Sequence, residues 1–187
     1  MKQTMNVRTL TLTALLTAVG ILIPMIMPIR VVIGPASYTL GSHIPIMMAM
    51  FISPMVACMV AIGTTLGFQM AGFPFIIVLR ALSHLVFSFI GAKILSHSEG
   101  TLSAMPRRYG FSLMINILHA LGEVVVVYLV TTMGSTPAPE NFFYVLFVLV
   151  GLGTIIHGMV DFELSYLFSK LLSQRLGQRF NQIVRLS

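Results

Sequence analysis

Charge is what this sequence has least of. Only 9% of its 187 residues are Asp, Glu, Lys or Arg, and just 5 are acidic, where soluble domains carry about 25% charged residues. A water-soluble chain of this length could not cover its surface with so few. There is 1 cysteine, Cys58, set inside an apolar run, which excludes a disulfide framework and a cysteine-rich metal site and leaves a small buried or lipid-facing hydrophobe. The templates of nucleotide and metal chemistry are also missing. No Gly-x-x-x-x-Gly-Lys-Ser/Thr loop cradles a phosphate, no His-Glu-x-x-His places two imidazoles on a helix, and no aspartate cluster suits magnesium. The 5 histidines are dispersed over four segments and the inner loop at His97, so a three-ligand metal site built from them is a weak signal. No cofactor and no resident metal is expected. The basic stretch Met1–Arg8 leads into apolar sequence without a small-x-small cleavage site, so that stretch reads as a retained helix rather than a signal peptide.

What the sequence has is apolar length. Of its residues 57% are hydrophobic, and a spanning helix needs about 20 of them in succession. Six segments qualify, at Thr9–Met27, Tyr38–Phe51, Pro54–Met70, Phe73–Leu95, Phe111–Met133 and Phe142–Leu172; the second is short and opens on helix-disfavouring residues. Pro24, Pro28, Gly34-Pro35, Ser53-Pro54, Gly72-Phe73-Pro74, Ser98-Glu99-Gly100 and the run Gly134–Pro139 mark the joints. The expected fold is all-α and integral to the membrane: a single six-helix domain over residues 1–187. An excess of Lys+Arg, 11 against 5 Asp+Glu, would suggest nucleic acid in a soluble protein. Here it reads as topology. Lys2, Arg8, Lys93, Arg107, Arg108, Lys170, Arg175, Arg179 and Arg185 fall on one side and Arg30 on the other, which predicts both termini in the cytoplasm. Lys170–Arg185 reads as a basic amphipathic tail at the membrane surface, with Asp161 and Glu163 near the inner face.

Ionisable side chains inside spanning segments cost about 2.5–3.5 kcal/mol on insertion scales and face cavities or one another. Arg80 and His84 stack on one helix face, and Asn116, His119 and Glu123 repeat the arrangement on the fifth span. Arg80 and Glu123 both lie on the order of 10 Å below the outer surface at ~1.5 Å per residue. They are within reach of each other. Two readings follow: a half-buried pocket open to the outside in which Arg80 offers its fork to a carboxylate, or an Arg80–Glu123 ion pair that fixes helix packing. Tyr38 and His43, on the outer side, would cap a ligand or lie as ordinary interfacial residues. His157 and Asp161 read as a helix-packing hydrogen bond.

Ala14-Leu15-Leu16-Thr17-Ala18 is a small-xxx-small pattern on the first helix. Together with six spans, a cytoplasmic amino terminus and an outward polar pocket, it makes the whole chain resemble a substrate-binding S component of the energy-coupling factor transporters. Within that family, Pro45-Ile46 through Met50-Phe51-Ile52-Ser53-Pro54 and Leu79-Arg80-Ala81-Leu82-Ser83-His84 are most similar to the niacin S components. The resemblance implies a multi-pass bacterial inner-membrane protein, not an enzyme, that binds a vitamin from outside. It implies docking through Ala14 and Ala18 onto a transmembrane coupling subunit served by two ATPases, and nicotinate as the ligand, with Arg80 against its carboxylate and His84, His119 or Asn116 toward its ring nitrogen. Another vitamin, a stand-alone carrier and an integral-membrane enzyme are the alternatives.

Overall fold

The computed structural model describes residues 6–134, 138–184 and 186. Asn6 caps the first helix, its Oδ1 accepting from the Thr9 amide at 2.8 Å, which meets one of the amides that a helix start leaves free. Helix α1 (Val7–Ile26) leads to a hairpin of β1 (Arg30–Ile33) and β2 (Ala36–Thr39), then to the short α2 (Ile44–Met50) and to α3 (Pro54–Met70). Helices α4 (Phe75–His97) and α5 (Met105–Thr132) follow. The last crossing is composite: α6 (Phe142–Tyr144), a π-helical segment (Val145–Leu152) and α7 (Gly153–Leu176), with a small α8 (Gln178–Asn181) beyond.

The expected second span, Tyr38–Phe51, is not one helix. Its first residues belong to β2, which pairs antiparallel with β1 in the register Arg30↔Thr39 to Ile33↔Ala36. Gly34 adopts φ +56°, the backbone that a primed two-residue turn requires at its first position. Only Ile44–Met50 is helical. The fifth span starts earlier than hydropathy alone suggests, at Met105 rather than Phe111, because Pro106 suits a first helical turn and Arg107 and Arg108 are carried into it.

Among the described residues, four helices are long and apolar enough to cross a membrane: α1, α4, α5 and the composite Phe142–Leu176, with mean hydropathy of 2.0–2.1. Helix α3 is a shorter apolar helix of 17 residues. Large apolar side chains such as Leu15, Leu22, Leu66, Phe89, Leu121, Phe147 and Val160 are exposed around the bundle, as expected of a surface that meets lipid rather than water. The main core lies at the end of the bundle away from the hairpin. Met47, Phe51, Val56, Val60, Phe87, Ile115 and Phe162 are each fully buried there, with Phe51 and Phe162 edge to face at 5.7 Å.

Helices α1 and α3 approach closely because glycine lines the contact. A Cβ on Gly63 would lie 2.7 Å from the Thr17 methyl, and one on Gly20 would lie 2.9 Å from Thr64 Oγ1. With Thr13, Leu16 and Gly20 buried, Ala14 and Ala18 are left exposed. They border a shallow groove with Leu10, Thr13, Thr17, Ile21 and Met59. At the other end of the chain, Phe180 and Val184 pack into the core, so the carboxy-terminal segment folds back on the bundle. Lys2 and Arg185, as well as the joint residues Ser135, Thr136 and Pro137, lie outside the described residues.

Candidate functional site

A pocket opens at the hairpin end. Gly20 and Pro24 of α1, Ala61, Thr64 and Phe68 of α3 and Ile77 and Ala81 of α4 give it an apolar side. Ser37, Ser42, His43, Arg80, His84 and Glu123 give it a polar one. Small residues on α1 and α3 make room for the cavity where bulkier ones would close it.

Arg80 and Glu123, 5% and 2% exposed, meet across α4 and α5. Arg80 Nε and Nη2 donate to Glu123 Oε2 at 2.9 and 2.6 Å. The remaining donors are spent on the hairpin: Nη1 reaches the Pro35 carbonyl at 2.8 Å and Ser37 Oγ at 3.0 Å, and Nη2 reaches the Ser37 carbonyl at 3.4 Å. The guanidinium therefore ties two helices to the loop above them, and its fork is filled by protein. Thr154 Oγ1 adds a third donor to Glu123 Oε2 at 3.1 Å. The other carboxylate oxygen, Oε1, faces His84 Nε2 at 3.2 Å and His119 Nε2 at 3.4 Å.

A second anionic centre lies beside the first. Asp161 Oδ1 accepts from the Gly41 amide at 2.8 Å, while Oδ2 accepts from the His43 amide at 2.9 Å and lies 3.1 Å from His43 Nδ1. A carboxylate on α7 thus holds the turn that leads into α2, where His43 makes no side-chain cap of its own. His157 Nε2 lies 3.3 Å from both Asp161 Oδ2 and Ser42 Oγ. Four imidazoles crowd between the two carboxylates, with the His43 ring centroid 4.9, 4.6 and 5.1 Å from those of His84, His119 and His157.

Of the residues singled out from the sequence, Arg80, His84, Glu123 and His43 line the pocket. His119 lies behind them, and Asn116 lies deeper on α5, against α7, where Gly158 leaves room for its side-chain carbonyl. Asn116 Nδ2 donates to the Ser112 carbonyl at 2.8 Å. Tyr38 does not line the pocket. Its hydroxyl donates to the carbonyl of Leu149 in the π-helical segment, where i→i+5 bonding departs from the α-helical ladder, and Gly153 gives the ring space.

His157 and Asp161 join the histidine cluster through His43 instead of lying toward the inner face; Glu163, two residues on, pairs with Arg108 at 3.1 Å. The signal that marks them is the i,i+4 spacing already read in α4 and α5: three helices each turn an i,i+4 polar pair toward the same interior.

No family model matches the sequence, and no solved structure matches it. Among curated proteins, the chain is 40% identical over 169 residues to the niacin transporter NiaX of Lactococcus lactis subsp. cremoris strain MG1363, covering 90% of this chain and 76% of that protein. This chain belongs to the niacin-transporter family. An overlap of that length necessarily contains everything from Gly20 to Asp161, and so the entire pocket and both carboxylate centres. The family is the one that the segments Pro45–Pro54 and Leu79–His84 resemble, the niacin S components. Its members are multi-pass membrane transporter components and not enzymes, and the exposed apolar flanks of α1, α4, α5 and α7 fit that setting.

Proposed function

We propose that this chain is the nicotinate-binding S subunit of an energy-coupling factor importer. The observation that carries the reading is the identity to a niacin transporter across a stretch containing the whole pocket. The pocket's chemistry agrees with it. Nicotinate is a flat aromatic anion with one ring nitrogen, and the cavity sets Phe68, Ile77 and Ala81 opposite the imidazoles of His43 and His84 and the hydroxyls of Ser37 and Ser42. The ring lies against the apolar side. Its carboxylate and nitrogen take hydrogen bonds from the polar side, in the positive field of Arg80. His119, Asn116 and Tyr38 support that wall from behind, and Glu123 orients Arg80.

The chain crosses the membrane six times as one domain, the hairpin and α2 together forming the second crossing. Both ends face the cytoplasm, on the side that carries Arg8, Lys93, Arg107, Arg108, Lys170 and Arg175, so the pocket opens outward. Helix α1 docks on a transmembrane coupling subunit through the groove at Ala14 and Ala18, where small side chains let a partner helix approach, and two ATPases bound to that subunit drive import. Calorimetric titration of the purified protein with nicotinate and with nicotinamide tests the ligand, the acid being expected to bind more tightly. Reconstitution with and without the coupling subunit and ATPases tests the role. Ala14→Trp should abolish uptake and spare nicotinate binding, and transport by the chain alone would replace this reading with a secondary carrier.

A further inference from the structure

We propose that His43, His84, His119 and Glu123 form a binding site for a divalent transition-metal ion of the zinc, cobalt or nickel class at the back of the pocket. Four donor atoms, one from each residue, lie within 4.8 Å of one another. Around a tetrahedral ion with metal–nitrogen bonds of about 2.0–2.1 Å, neighbouring donors are about 3.3 Å apart. Glu123 Oε1 lies 3.2 Å from His84 Nε2 and 3.4 Å from His119 Nε2, so two edges of that tetrahedron are already in place. His43 supplies the fourth corner, with a donor atom within 4.8 Å of the other three.

Three further features belong to a metal site rather than to a packed histidine cluster. His119 is 1% exposed, and neither of its ring nitrogens has a hydrogen-bond partner. A buried imidazole left so costs free energy, and a cation at Nε2 relieves it. Glu123 divides its oxygens: Oε2 is held by Arg80 and Thr154, which leaves Oε1 aimed at the imidazoles. Asp161 holds His43 Nδ1 at 3.1 Å, an arrangement in which an outer carboxylate fixes the ring and leaves Nε2 to the ion. His43, His84 and Glu123 also line the pocket, which provides an entry path. Three imidazoles and one carboxylate suit zinc, cobalt or nickel and not the all-oxygen preference of calcium or magnesium.

The site rests on protein groups alone; its consequence for the ligand rests on the function proposed above. Glu123 offsets part of the Arg80 field at the pocket wall, and Asp161 lies behind His43. A divalent ion adds positive charge to that wall and strengthens its hold on an anion, the ring nitrogen or carboxylate of nicotinate facing the metal.

The test loads chelator-stripped, detergent-purified protein with Co²⁺ and reads the visible d–d spectrum and Co²⁺ affinity by titration. Wild type should give tetrahedral bands at one ion per chain. His84→Ala and His119→Ala should each lose them and weaken Co²⁺ by about 100-fold or more, beyond the 10–100-fold typical of outer-shell losses, while His97→Ala, at an exposed helix end, should change nothing. Should His119→Ala fail to fold, His119→Cys decides: a direct ligand gives a thiolate-to-cobalt charge-transfer band. Absent bands in wild type, or bands unchanged in His84→Ala and His119→Cys, overturn the metal site. Nicotinate titrated against stripped and Co²⁺-loaded protein separates the two ideas: equally tight binding to both without a cobalt spectrum removes the metal and keeps the ligand, and cobalt bands without nicotinate binding do the reverse.

Discussion

Replacing Arg80 with alanine should cost this protein its fold before it costs selectivity. The guanidinium is 5% exposed and makes five hydrogen-bonding contacts, two with Glu123 Oε2 and three with the hairpin. Removing it leaves a carboxylate 2% exposed with Thr154 as its remaining close donor on Oε2. Breaking a buried pair from one side costs about 3–5 kcal/mol, because an uncompensated charge stays inside. The Pro35 and Ser37 acceptors are only half-buried, so water can replace Arg80 there and they add little to that figure. Arg80→Ala is therefore expected to lose about 3–5 kcal/mol in equilibrium unfolding from mixed micelles. A double replacement, Arg80→Leu with Glu123→Leu, should recover most of the loss, since it removes both charges together. Nicotinate and nicotinamide affinities, measured on whatever fraction of Arg80→Ala stays folded, report the field: the acid should lose more than the amide. A loss below about 1 kcal/mol, the range of solvent-exposed pairs, would refute the buried-pair argument, and equal losses for acid and amide would remove Arg80 from ligand discrimination.

Asp161→Asn should destabilise the turn before α2 by about 1.5–3 kcal/mol, the range for hydrogen bonds to a charged group, because one amide oxygen cannot replace two carboxylate oxygens that serve Gly41, His43 and the His43 ring. Nicotinate affinity should fall with it, and a variant with wild-type unfolding and binding would show that the turn holds itself. Gly158→Ala places a methyl group against the Asn116 side chain in the tight α5–α7 contact; overpacking of about 1–3 kcal/mol is expected in the same unfolding assay, and a neutral result would mean that Asn116 moves aside freely.

How much the sequence decides differs from element to element. Helices α1, α3 and α4 were legible within about two residues because a membrane helix must satisfy every backbone group internally and therefore declares itself as an uninterrupted apolar run. Membership of the niacin-transporter family was legible too, from two short segments and the small residues of α1. The hairpin was not. Arg30 read as part of an outer loop and Tyr38 as the start of a span, and only the pairing of β1 with β2 shows how the backbone of residues 30–39 is satisfied. The π-helical segment left no mark in composition, since Val145–Leu152 is as apolar as any helix. For the site, spacing put Arg80 with His84 and His119 with Glu123 on common faces, and depth put Arg80 near Glu123. Spacing says nothing of which faces meet, nor of how one helix is shifted along another. Those depend on the glycines that let helices close on each other and on the composite last crossing, which brings Asp161 up to His43. Only the tertiary structure decided that Arg80 spends its fork on protein and that four histidines from four segments cluster around His43, because such contacts lie between helices and a single chain's periodicity records each helix alone.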